Sequence, residues 1–215
     1  INQEQSVIKS EYNVDQVYPP KGFDIKSYLS YNDNVDSISE IYEEIKNNKS
    51  FTVKGYTASI TEVDENGDSK IKYKINVLDK QVFEDAIQKF VKSFISEEQY
   101  TAYMNDTQAE IKDTGSRIEN LYFNESITIK EAYLSTEDKI FTDSDELTRY
   151  LMFDDSDEVS EYTVKKGDTI EKIAYDNKLN TSEFLIANPQ FTSESNMLAV
   201  GEKVNVALID PKLTF

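Results

Sequence analysis

Between residues 161 and 209 two short β-type runs bracket two helix-start signals, and that order leaves few ways to bury the apolar positions. Tyr162-Thr163-Val164 reads as a strand, and Gly167 permits a sharp exit from it. Asp168, with Glu171 three residues on, has the spacing of a capping box, and Ile170, Ile173 and Ala174 then fall on one helical face. Asn180 with Glu183 repeats the arrangement ahead of Phe184, Leu185 and Ala187. Asn188-Pro189 stops that helix, because the residue before proline avoids the helical region. Val204-Asn205-Val206 returns as a strand to pair with the first, so the segment is expected to be a small βααβ unit.

The motif Tyr162-Thr163-Val164-Lys165-Lys166-Gly167-Asp168-Thr169-Ile170, followed by Ile173-Ala174, Ala187-Asn188-Pro189 and Val200-Gly201-Glu202-Lys203-Val204-Asn205-Val206, closely resembles a LysM module. The resemblance implies binding of N-acetylglucosamine-containing glycans such as peptidoglycan or chitin. It places the groove between the loop entering the first helix and the loop leaving the second. On matching positions it implies one wall at Gly167, Asp168, Thr169 and Ile170, another at Asn188, Pro189 and Gln190, and a floor at Met197 and Leu198. The stretch from Gln190 to Met197 is longer and more polar than the family pattern, and it lies on the implied groove.

The rest of the chain is legible only from its patterning. The 215 residues carry a net charge of -18, and the imbalance is concentrated in residues 1–160, with 17 Lys and Arg against 33 Asp and Glu. Residues 161–209 hold 5 basic and 7 acidic residues. Such an acidic surface repels nucleic acid, whose binding relies on Lys and Arg neutralising phosphates, and it equally disfavours anionic lipid. The chain has no His and no Cys. Catalytic zinc sites, serine triads and thiol enzymes all draw on those residues, so these three classes are not expected, while carboxylate chemistry stays open; no catalytic residue, metal or cofactor is assigned within this segment. No apolar run is long enough to cross a membrane, and a chain that opens on Ile1 with no leader reads as a processed or excised part; the LysM resemblance implies that this part is extracellular or wall-associated.

Residues 1–21, ending in Pro19-Pro20, read as an extended lead-in that could pair as an edge strand. Residues 22–153 switch between periods of 2 and 3.6, the sign of an α+β domain with antiparallel hairpins and helices. Ser37 and Glu40 open a helix with Ile38, Ile41, Tyr42 and Ile45 on one face. Two β-rich runs, 51–60 and 71–77, flank Asn66-Gly67, a pair that readily takes the positive φ of a tight hairpin. Asp64, Asn66 and Asp68 begin like a calcium loop, but Gly67 is misplaced and Ile75 stands where a Glu is required.

Asp79 precedes a helix with Val82, Phe83, Ala86, Ile87, Phe90, Val91 and Phe94 as its apolar stripe, and Ser96 starts a shorter helix. Residues 117–123 and 126–133 suggest a second hairpin ahead of a helix at 143–152, so hairpin-then-helix would occur twice. Residues 154–160 read as an acidic linker, 161–209 as the module, and 210–215 as the start of a following segment, within a further strand from 207.

The expected function is non-catalytic attachment to cell-wall glycan, in a layout similar to the targeting part of Gram-positive cell-wall hydrolases of the lysostaphin zinc-endopeptidase type. The acidic domain would serve as spacer or as the arm for an unidentified protein partner. Two alternatives remain open at this level. The front domain could be a carboxylate-based glycan hydrolase, although no acidic pair stands out for it, or the chain could be a phage or virion protein that contacts the wall.

Overall fold

The helix expected from Ser37 and Glu40 forms in the computed structural model of the chain, which describes residues 2–20, 26, 29, 36–48, 50–153 and 160–215. Helix α2 (Ile38–Asn48) opens with a reciprocal box. The Ser37 N–H donates to Glu40 Oε2 at 2.8 Å, and the Glu40 N–H to Ser37 Oγ at 3.2 Å. Of its expected apolar stripe, however, Ile38 is 81% and Ile41 44% exposed. A capping box needs only its own four residues, whereas burial of a stripe needs a neighbour.

Elements β2 (Thr52–Val63) and β3 (Ser69–Val77) form the expected hairpin. Asp64 organises its turn by accepting the Asn66 and Asp68 N–H groups, each at 3.0 Å, and the Lys70 ammonium at 2.6 Å. Gly67 takes positive φ (+85°) but Asn66 does not, which corrects the expectation that both would. The turn is longer than a two-residue loop, since the Asp64 N–H bonds the Asp68 carbonyl at 2.9 Å.

The chain divides into two units. The first takes in residues 1–60, 71–82 and 127–142. Here the lead-in is corrected: residues 2–12, expected to be extended, form helix α1 (Asn2–Tyr12). Its end is set by Asn13, whose left-handed backbone (φ 51°) turns the Val14 N–H back to the Lys9 carbonyl. Strand β1 (Val17–Tyr18) then pairs antiparallel with β2, Val17 opposite Val53, as an edge strand. The sheet runs β1-β2-β3-β5, where β5 (Ile140–Phe141) lies parallel to β3 and β4 (Ser126–Ser135) pairs with β2. Ile8, Val17, Phe51, Val53 and Leu134 make a core of this unit. Gly55 is required there by close approach: a Cβ would stand 2.6 Å from Leu134 Cδ1 and 2.7 Å from the Val77 carbonyl oxygen.

The second unit takes in residues 61–70, 83–126 and 143–215. Helix α3 (Lys80–Phe94) buries Phe83, Ala86, Phe90 and Val91, close to the expected stripe, and the Asp79 carboxylate accepts the Gln81 N–H at 2.9 Å. Helix α4 (Glu97–Met104) is capped by Ser96. Helix α5 (Ser144–Phe153) is capped by Asp143, which accepts from the Asp145 and Glu146 N–H groups, and it buries Leu147 and Leu151.

Residues 117–123 are not a strand, so the second hairpin does not form and hairpin-then-helix does not recur. The Gln108 side-chain amide takes the place of a strand partner, accepting the Ile118 N–H at 2.8 Å and donating to the Ile118 carbonyl at 2.9 Å. Phe123 joins Phe90, Phe94 and Phe215 in an aromatic cluster with ring centroids 5.2–6.3 Å apart.

The expected strand from residue 207 is also absent. Residues 207–215 run as irregular chain along the end of α5, with the Asp210 N–H on the Met152 carbonyl and the Lys212 N–H on the Leu151 carbonyl, each at 2.8 Å. Leu213 is buried there, and Glu125 accepts from both the N–H and the hydroxyl of Thr214. Residues 154–159 of the acidic linker lie outside the described residues. The βααβ unit completes the second unit, as β6 (Glu161–Thr163), α6 (Ile170–Asp176), α7 (Thr181–Ala187) and β7 (Lys203–Asn205). The fold is mixed α+β, with a parallel strand pair in place of a second antiparallel hairpin.

Candidate glycan-binding site

Strands β6 and β7 pair antiparallel with Tyr162 opposite Val204, so Thr163, where β6 ends, stands opposite Lys203, where β7 begins. Val164 continues the pairing: its N–H donates to the Glu202 carbonyl at 2.9 Å and its carbonyl accepts the Gly201 N–H at 2.8 Å. Both helices pack their apolar faces on this two-stranded sheet. Val164, Ile170, Ile173, Ala174, Leu179 and Phe184 form one buried cluster with Phe191, Val204 and Val206.

The loop into α6 is held by Asp168, whose side chain is only 5% exposed. Its carboxylate accepts the Lys165 N–H at 2.9 Å, the Tyr162 hydroxyl at 2.8 Å and the Lys172 ammonium at 3.2 Å. The Lys165 N–H, then the Tyr162 hydroxyl and Lys172, hold this carboxyl below the ordinary aspartate range. The same contact raises the Tyr162 phenol, which would lose its acceptor on ionising.

Asp168 is therefore not the helix cap. Thr169 is, with extended backbone and its Oγ1 accepting the Lys172 N–H at 3.2 Å. The expected Asp168–Glu171 box gives way because the aspartate is turned back into its own loop. Gly167 holds a φ of +90° with open space where a Cβ would stand, and Ile170 is fully buried in the core.

The second helix follows expectation. Asn180 and Glu183 complete their box, at 2.8 Å and 2.7 Å. Asn188, 2% exposed, closes the helix onto β7: its Nδ2 donates to the carbonyls of Phe184 (2.9 Å) and Asn205 (2.8 Å), and its Oδ1 accepts the Asn205 N–H (2.7 Å). Pro189 and Gln190 are exposed. Phe191 turns inward and stacks on Phe184 with centroids 6.2 Å apart. Beyond it, Asn196 Oδ1 gathers the N–H groups of Thr192 and Ser193 into a local turn. Met197 is 95% exposed, while Leu198 is half-buried against the core.

The expected groove residues thus separate by burial. Gly167, Thr169, Pro189, Gln190 and Met197 are exposed. Asp168, Ile170 and Asn188 shape the loops from inside, and the two polar side chains among them are occupied by the protein's own groups.

Residues 162–207 match the LysM domain. No curated protein and no solved structure matches the chain significantly. The LysM match supports binding of glycan of the peptidoglycan or chitin type. Sequence reasoning missed Tyr162 as the residue that holds Asp168, because a hydroxyl six positions away carries no local signal. It also missed a cleft of ≈ 610 Å³ beside the LysM domain, lined by residues of α3, α5 and α7 together with Pro189, Phe191 and Thr192. The consecutive apolar residues Leu185 and Ile186 were its one legible trace, since a short helix cannot turn both fully into the same core. Among the described residues no group of His, Cys, Asp or Glu is placed to hold a metal ion, and no helix is long and apolar enough to cross a membrane.

Proposed function

We propose that the chain binds N-acetylglucosamine-containing cell-wall glycan through its LysM domain and, as the non-catalytic targeting part of a Gram-positive cell-wall hydrolase, attaches a secreted or surface protein to the wall. The match of residues 162–207 carries this reading. The exposed backbone at Gly167 and the exposed side chains of Thr169, Pro189, Gln190 and Met197 support it, since a shallow site for a neutral polymer needs accessible amides and small apolar surfaces. The lack of His and Cys supports a non-catalytic role, since zinc, serine-triad and thiol enzymes all draw on those residues. The acidic front, with 33 acids against 17 bases in residues 1–160, serves as a soluble spacer that anionic wall polymers repel.

A site of this size in a single copy binds weakly unless the chain is tethered or repeated. The test is cosedimentation with purified peptidoglycan of the parent and a Pro189→Ala, Gln190→Ala, Met197→Ala variant, which leaves Asp168 and Asn188 in place to hold the fold. Retention of the parent and release of the folded variant is the expected result. A parent that remains in the supernatant at high peptidoglycan load overturns the reading.

A further inference from the structure

The ≈ 610 Å³ cleft lies within the range of roughly 300–1,000 Å³ usual for small-ligand sites. Its apolar lining is Leu185, Ile186 and Phe191, the first two from the outer side of α7, whose inner side packs Phe184 and Ala187. Its charged lining comes from α3 and α5. Lys89 is fixed there, with its ammonium 2.6 Å from Asp145 Oδ1 and 2.8 Å from Ser144 Oγ, and Arg149 stands on the same helix as Asp145. Pro189 and Thr192 form the edge, so the loop that leaves α7 borders the cleft and also forms one wall of the implied groove.

The lining selects a class of ligand. Lys89 and Arg149 only donate hydrogen bonds, whereas the carboxylates of Asp143, Asp145 and Glu146 accept them. An anion would be repelled by the carboxylates and a cation by the two bases. A neutral hydroxylated ring satisfies both kinds of group, because each hydroxyl donates and accepts, and its C–H face covers an apolar surface such as that of Ile186 and Phe191. We propose that this cleft is a second saccharide subsite, continuous with the LysM groove over Pro189, which takes further sugar rings of the same glycan chain. The inference rests on the glycan-binding reading above, and it supplies within one chain the added contact that a single LysM domain needs.

The experiment is calorimetric titration of the whole chain with short and long N-acetylglucosamine oligomers, beside Arg149→Ala and Ile186→Trp. The first variant removes a donor from the lining, and the second fills its apolar side with an indole. Circular dichroism and melting verify both folds, and either variant alone suffices should the other unfold. The long oligomer should bind the parent about tenfold more tightly than the short one, the scale of one added charge-assisted hydrogen bond. Each variant should erase that gain while leaving the short oligomer's affinity unchanged. Equal affinity of the parent for both lengths, or a gain that survives in the folded variants, overturns the second subsite and leaves the groove intact. Failure of both oligomers to bind the parent overturns the groove reading and the subsite with it.

Discussion

The LysM domain and the sheet of the first unit are held by different means. In the LysM domain, buried polar side chains tie the loops to the strands: Asp168 gathers Lys165, Tyr162 and Lys172, and Asn188 joins α7 to β7 through Phe184 and Asn205. In the first unit side chains such as Gln5, on the Val17 carbonyl, also bridge elements, but the sheet core depends on shape, with Val53, Val17 and Leu134 in one buried cluster and Gly55 leaving room for the Leu134 side chain and the Val77 carbonyl. A domain with only three-residue strands has too little backbone pairing to fix its loops, so side chains supply the missing bonds. Longer strands such as β2 and β3 carry their own ladders and depend on packing distance. Polar clamps fail when a partner is lost, and close packing fails when volume is added.

The largest break in this comparison should come from Asn188→Ala. It strands the Asn205 N–H and two carbonyls beneath the surface, at a cost of at least about 3 kcal/mol, since each buried unsatisfied group costs roughly 1–3 kcal/mol. Urea unfolding followed through the LysM domain measures it, and a loss under about 1 kcal/mol would show that water replaces the clamp. Gly55→Ala is the counterpart in the first unit. The added methyl meets a backbone oxygen that cannot rotate away, so about 1–3 kcal/mol should be lost, read as a lowered denaturation midpoint.

Two smaller effects sharpen the assignment of roles at the loop into α6. Thr169→Ala removes the α6 cap and should cost about 1 kcal/mol in the same unfolding measurement. The last effect is a pH dependence. Asp168 titrates below its unfolded value of 3.8 in the folded chain, so the stability it contributes is complete above that value and is lost as pH falls through the lower folded value. Melting temperatures of the parent should fall more steeply in acid than those of Asp168→Asn. Parallel curves would mean that the carboxylate contributes no charge-dependent stability.

Signals confined to a few neighbouring residues were legible. The Ser37–Glu40 and Asn180–Glu183 boxes formed because each is complete within four residues, and the stripes of α3 and α5 found cores. Even so, a local signal did not fix which of two adjacent residues would cap α6. Asp168 and Thr169 have equivalent spacing to a helix start, and the choice fell to Tyr162 and Lys165, whose groups meet the aspartate only after β6 has turned. In the same way, Ile38 and Ile41 had the period of a buried face and remained exposed. Residues 117–123 had the composition of a strand, but Gln108 took their hydrogen bonds.

From its sequence alone the chain determined the βααβ order of residues 161–206, the helix starts that carry their own caps, and the absence of His and Cys chemistry, because each depends on residue identity and short spacing. Tertiary structure decided which of the expected groove residues are exposed and which hold the loops from within. It also decided that β5 lies beside β3, with Asn76 opposite Ile140, and that α3, α5 and α7 line a cleft with Pro189 at its edge. Those outcomes depend on groups distant in sequence competing for the same hydrogen bonds and the same buried space, a competition settled only when the chain has closed on itself.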